Sequence, residues 1–277
     1  MKEAELDGLI RLLDDEDREV WNNISQTILD VGEEAVPHLI EAQESNPSPL
    51  VQERSSYLIR RLRFETLYNE LVTWKDSGAI DLLDGMRILA SYENPTLETR
   101  TLNKQVEELY TQAWVDLGAN TSPTEKIKLF NGTFFDSLGF APTAPDHFYK
   151  LQNSLVDNVL RERKGNPISL CIVYMLIAQR MGMPVYGVNL PNLFILVYDA
   201  EDLRFYINVF NRGSLFTRHE IDAYLQRLNI DPIPPYYEPC NHEAIVRRVL
   251  RNMMVAYEQR QQKEEVEDMY RLLQAWE

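Results

Sequence analysis

The ten residues Arg161-Glu162-Arg163-Lys164-Gly165-Asn166-Pro167-Ile168-Ser169-Leu170 constrain the fold more than any other stretch of this chain. A charged tail and a glycine break lead into an apolar run that reads as a buried helix. Asn166 is a favoured N-cap, and Pro167 suits the first helical position because its missing N–H would have had no partner there. Ser169 then falls in the first turn, where free backbone N–H groups and the positive end of the helix dipole favour negative charge. A thiol placed there is acidified and becomes a nucleophile. This chain has a serine instead.

Downstream, Leu193–Tyr198 and Leu203–Phe210 are β-branched and aromatic runs joined by the polar link Asp199-Ala200-Glu201-Asp202. A four-residue connection predicts an antiparallel pair with Leu193 opposite Asn208, Ile195 opposite Tyr206 and Val197 opposite Arg204. The alternate face, Phe194, Leu196, Tyr198, Leu203, Phe205 and Ile207, is uniformly apolar and is assigned to the core.

The run "VLRERKGNPISLCIVYMLIAQRMGMPVYGVNLPNLFILVY", followed by "FYINVFNRGSLF", resembles the transglutaminase-like superfamily, in the bacterial branch related to the invasion-gene regulator B protein. The resemblance is specific over about sixty residues and weaker from roughly Leu67 to Leu228. It implies a papain-like core in which a Cys at a helix start, a His on a strand and an Asp on the next strand form a triad. Those positions hold Ser169, Leu193 (in Pro191-Asn192-Leu193-Phe194) and Asn208 (in Ile207-Asn208-Val209-Phe210). Leucine can neither accept nor hold a proton, so the triad route lacks its base.

Cys171 is the one candidate for a displaced nucleophile, but it lies about 200° around the helix from Ser169 and reads as a small packing residue. Cys240 follows Glu238-Pro239 in a loop. His38, His147, His219 and His242 show no metal spacing, and two cysteines make no common zinc pattern. No metal and no cofactor is expected. His147 is the histidine placed to approach the Gly165 loop.

The flanks are helical. "LIRLLDDEDREVWNNISQTILDVGEEAVPHLIEA" resembles a HEAT repeat, with an Asp-rich corner that starts a fresh helix. Ile80, Leu82, Leu83, Met86, Ile88 and Leu89 mark another helix, and Val106 to Trp114 the next. Thr121-Ser122-Pro123 starts one running to Phe134. Pro232 to Pro235 reads as a linker, followed by two helices that resemble a tetratricopeptide-type hairpin. The expected fold is therefore α+β and predominantly helical: a transglutaminase-like core with a small antiparallel sheet, flanked by helical repeats. The expected segments are 1–65 (HEAT-like), 66–230 (core with its N-terminal helices) and 231–277 (linker and hairpin).

Charge and hydropathy narrow the function. A net charge of −15, with 14 acidic and 5 basic residues in the first sixty, opposes nucleic-acid binding. No apolar run is long enough to span a membrane and none marks a signal peptide, and two cysteines suit a reducing cytoplasm. The favoured function is a non-catalytic module for a protein or peptide partner, and the alternative is a cysteine- or serine-type amidase or peptidase with a rebuilt triad. Asn166 and Asn192 are groove candidates, and Arg161, Arg163 and Lys164 are candidates for holding an anion. Oligomeric state is not legible.

Overall fold

A computed structural model describes residues 3–114 and 122–276. Its helices, in chain order, are α1 (Glu3–Arg11), α2 (Arg18–Val31), α3 (Val36–Ser45), α4 (Pro49–Asp76), α5 (Leu82–Ser91), α6 (Thr99–Trp114), α7 (Pro123–Gly132), α8 (Val156–Glu162), α9 (Pro167–Arg180), α10 (Arg218–Arg227), α11 (His242–Gln259) and α12 (Lys263–Gln274). Its strands are β1 (Ala141–Pro142), β2 (Lys164–Gly165), β3 (Val185–Leu190), β4 (Leu193–Ala200), β5 (Leu203–Asn208) and β6 (Ser214–Phe216). The fold is α+β and predominantly helical. The chain divides into two compact units, Met1–Thr73 and Trp74–Glu277.

In the first unit, Leu13, Ile28, Leu39, Val51 and Leu58 make a core of their own. Asp17 caps α2 by accepting from Glu19 N at 2.7 Å, as the acidic corner predicts. Arg54 seals that corner, donating to the carbonyls of Leu13 and Asp15 at 2.8 and 2.6 Å while its guanidinium lies over Trp21. Leu12, read as part of the apolar stripe, sits in a 3-10 turn and is half exposed.

The second unit is built around α9, in which every residue from Ile168 to Ala178 is buried. A helix apolar on all sides must be covered on all sides. β3 and β4 cover it from one direction, and α6, α8 and α11 pack elsewhere on it. The sheet is antiparallel in the order β3-β4-β5-β6, and β1 and β2 form a separate parallel pair.

The sheet's register differs from the expected one by two residues. Tyr206 pairs with Val197 and Arg204 with Asp199, and the β4–β5 ladder ends at Leu196 opposite Ile207. The cause is local: Arg204 makes two parallel bonds to the Asp199 carboxylate, at 2.8 and 2.9 Å, and a third to Glu238 at 2.8 Å. That cross-strand fork fits a tight turn at Glu201-Asp202, not a four-residue link. Leu193 pairs instead with Leu190 on β3, so Leu193 and Asn208 are not opposite one another. A two-residue shift keeps every side chain on its expected face, but both faces prove buried. Ile195, Val197 and Tyr206 form a second core with Ile221 and Leu225 of α10 and with Tyr237. The Pro232–Pro235 segment leads directly into that buried Tyr237, whose carbonyl accepts from Tyr206 OH at 3.1 Å.

Two helix starts differ in detail from expectation. Asp81 caps α5 at Leu83 and Asp84, leaving Ile80 outside the helix and 80% exposed. Ser122 and Glu125 form a capping box with Pro123 at the first position of α7, and Thr121 lies outside the described residues.

Gly165 is a point of close approach in the second unit. A Cβ there would stand 2.5 Å from Ser169 Oγ and 3.2 Å from both Leu170 Cγ and Val159 Cγ1. Gly165→Ala is expected to destabilise the protein by about 1–3 kcal/mol, the usual range for overpacking a closed site, read as a lowered urea midpoint. An unchanged midpoint would show that the Ser169 side chain gives way freely.

Candidate functional site

The start of α9 is held by a buried polar knot. Asn166 caps the helix, its Oδ1 accepting from Ser169 N at 3.0 Å, and its Nδ2 donates to Ser154 Oγ at 2.9 Å and Phe148 O at 3.4 Å. Ser169 Oγ donates to Asn153 O at 2.6 Å and lies 3.2 Å from Asn166 O. Asn153 in turn donates to His147 O at 2.6 Å and Thr143 Oγ1 at 3.2 Å. Ser154, Asn166 and Ser169 are at most 2% exposed. Buried polar groups this well partnered fix one geometry.

The knot settles what surrounds the Ser169 hydroxyl. Its proton is directed at a main-chain carbonyl, and no imidazole among the described residues is hydrogen-bonded to it. His147 contributes its carbonyl to the knot, while its ring pairs with Asp146 at 3.4 Å on the surface. His38 pairs with Asp7, and His242 bonds Ala79 O at 2.9 Å. Leu193 packs against the core that α10 covers, beside Leu190 and Ile195. Asn208 caps the turn after β5, accepting from Asn211 N at 3.1 Å. Leu193 and Asn208 are thus not paired across the strands, and Asn208 makes no hydrogen bond to Ser169 among the described residues.

Neither thiol lies where its thiolate is favoured. Cys171 is fully buried with its Sγ 3.6 Å from Phe194 O, and burial pushes its pKa far above that of a free thiol. Burial likewise raises Cys240, to about 11. Among the described residues no three His, Cys, Asp or Glu side chains are grouped to hold a metal.

Beside the knot lies a recess of about 410 Å3, measured with the open solvent at its mouth. Asn166 and Ile168 at the start of α9 form one wall, and Phe148 and Tyr149 flank them. Asn192 and Phe194 enter from the β3–β4 turn, and Arg248 and Asn252 from α11. The turn is fixed by Tyr224 OH, which donates to Pro191 O at 2.8 Å, and Asn192 holds a left-handed backbone at φ 57°. Phe148 is braced edge-on by Phe210 with ring centroids 5.0 Å apart.

Of the residues singled out by sequence, Asn166 and Asn192 line this recess. Arg161, Arg163 and Lys164 do not. Arg161 is exposed and bonds Glu162 and Asn158. Arg163, in a left-handed cap, stacks over Phe140 at 4.9 Å, where burial lowers its pKa. Lys164 is exposed on β2. The cation at the recess is Arg248, far along the chain on α11. Its only sequence signal is the Arg247-Arg248 pair on an amphipathic helix, which reads as solvated surface.

The transglutaminase-like superfamily profile matches residues 100–251. The chain belongs to the transglutaminase-like superfamily. It is 25% identical over 197 residues to a UPF0162 protein of Xylella fastidiosa (strain 9a5c), covering 69% of each chain. It is 27% identical over 175 residues to Protein SirB1 of Salmonella typhimurium, covering 62% of this chain and 64% of that one. The UPF0162 protein YchA of Escherichia coli (strain K12) is 26% identical over the same length. No solved structure matches.

The site geometry predicts that restoring triad residues will not restore a triad. In Ser169→Cys with Leu193→His, the thiol should titrate no lower than in Ser169→Cys alone, followed by thiolate ultraviolet absorbance with a thermal melt to confirm folding. The raised pKa values of Cys171 and Cys240 keep the native thiols out of the reading. A thiol titrating well below the free value of about 8.5 only in the double variant would show that position 193 does reach Ser169.

Proposed function

We propose that this protein is a non-catalytic member of its superfamily, a binding module whose recess at the start of α9 receives part of a peptide or protein partner. The observation that carries this reading is the commitment of Ser169 Oγ to Asn153 O at 2.6 Å in a knot without an imidazole. An acyl transfer needs a base within hydrogen-bond reach of the nucleophile, and a serine hydroxyl is not ionised by a helix dipole alone. What the fold retains is the recess, walled by aromatic rings and side-chain amides, the usual mixture for holding an amide-bearing ligand. The charge of −15 supports a partner other than nucleic acid. Among the described residues no helix is long and apolar enough to cross a membrane.

The test has two parts. With activated esters and amides the protein should show no acyl-enzyme burst, and Ser169→Ala should leave any slow background unchanged. Selection of a displayed peptide library on the immobilised protein should enrich binders that are lost on Asn252→Trp, a substitution that fills the recess from α11. Covalent labelling of Ser169 or Cys171 by an acylating electrophile, abolished by substituting that residue, would favour the amidase or peptidase reading instead.

A further inference from the structure

Arg248 is placed as few arginines in this chain are. In a protein of net charge −15, no carboxylate among the described residues lies within ion-pair distance of it. The charged and titratable groups that act on it are Tyr149, Arg251 and Tyr224, and burial lowers its pKa. Its protein bonds are long and come from one nitrogen: Nη1 lies 3.3 Å from Asn189 Oδ1 and 3.5 Å from Leu190 O. Nε and Nη2 make no bond among the described residues. A half-buried guanidinium has lost much of its water, so an anionic partner gains more there than at the surface.

Two further sets of donors meet it in the same recess. At the start of α9, Ser169 N is capped by Asn166 Oδ1 and Leu170 N bonds Asn166 O, but Ile168 N has no acceptor among the described residues. The side-chain amides of Asn192 and Asn252 also carry no bond among the described residues, and both line the recess. Asn252 stands one helical turn beyond Arg248, on the same face of α11. Around these donors are the rings of Phe148, Tyr149 and Phe194.

We infer that this recess is a carboxylate-binding pocket, in which Arg248 grips the ligand's carboxylate, the Ile168 N–H and the Asn252 amide complete its hydrogen bonds, and the flanking rings hold the apolar group beside it. Planar bidentate recognition by guanidinium matches a carboxylate, and the aromatic walls match an amino-acid-sized apolar neighbour. The ligand class is a peptide presenting a carboxylate next to an apolar side chain. This deepens the binding-module reading and rests on it. The carboxylate comes either from a chain terminus or from an acidic side chain, and both share this chemistry.

The probes are N-acetylphenylalanine, its primary amide, N-acetylaspartic acid α-amide and inorganic phosphate, titrated into 15N-labelled full-length protein and followed at the Ile168 amide and the Arg248 Nε–H. N-acetylphenylalanine should give saturable shifts at both resonances, and its amide should bind at least roughly tenfold more weakly, about 1.4 kcal/mol. Saturation by the aspartic acid derivative as well would place side-chain carboxylates among the sources, and its failure would restrict the pocket to chain termini. Arg248→Gln should weaken binding by a similar factor. Asn252→Asp, which supplies an internal carboxylate beside Arg248 without removing it, should abolish binding in a folded protein. Equal binding of acid and amide, or binding unaffected by either substitution, would overturn the assignment. So would saturation by phosphate alone. Peptides selected from a library that bind independently of Arg248 would leave the binding module standing and remove the carboxylate pocket. Failure of library and probes together would remove both.

Discussion

The hydrogen bond from Ser169 Oγ to Asn153 O, at 2.6 Å, is the contact on which the rest of this site depends. It joins the first turn of α9 to the loop between β1 and α8, and the Asn166 cap closes the same connection from the other side through Ser154 Oγ. Thr143 N to Gly165 O, at 3.0 Å, adds a backbone strut. Each donor in this knot finds an acceptor inside the protein, and removing any one partner leaves another buried group without water or protein to bond. The position that could present a nucleophile is therefore used to fasten a loop. Because the loop carries Phe148 and Tyr149, the same bond also sets one wall of the recess.

What was legible in the sequence was mainly what is local. The Asn166–Pro167 start of α9, the Asp17 cap and the Ser122–Glu125 box follow from side chains that bond their own backbone within three residues. Such signals need no tertiary context. The strand pair was legible in face but not in register, because the deciding interaction is the fork from Arg204 to Asp199, a residue read as part of the link. Alternation suggested one buried face, yet Ile195, Val197 and Tyr206 are also buried, covered by α10 and by Tyr237 from a proline-rich segment that composition marks as a linker. Nothing local to the strands announces that cover.

The cations show the same division between near and far. Arg161, Arg163 and Lys164 precede α9 in sequence, and proximity in the chain made them candidates for an anion at its N-terminus. The chain reverses at Arg163, whose left-handed backbone turns its guanidinium onto the Phe140 ring, and α8 carries Arg161 outward to Glu162. α11 packs against α9 and β3 and brings Arg248 to the place they vacate. A residue far along the chain reaches the recess because it sits on a rigid helix docked against the site, whereas the neighbouring basic residues are led away by their own turn.

The recess also explains why loss of the triad side chains need not erase a site. The positive end of a helix dipole and an unpaired backbone N–H belong to the main chain, so no side-chain substitution removes them while α9 persists. In the acyl-transfer geometry that field acts on a nucleophile within the first turn. Here the Ser169 hydroxyl is bonded to Asn153 O and its N–H is capped by Asn166, while Ile168, whose N–H has no acceptor among the described residues, lines the recess at the same helix end. Packing fixes which side of the turn faces solvent, and Leu193, drawn into the core beneath α10, leaves that side to Asn192 and Phe194. A helix start that could ionise a thiol is thereby arranged to meet a charge that the ligand brings with it.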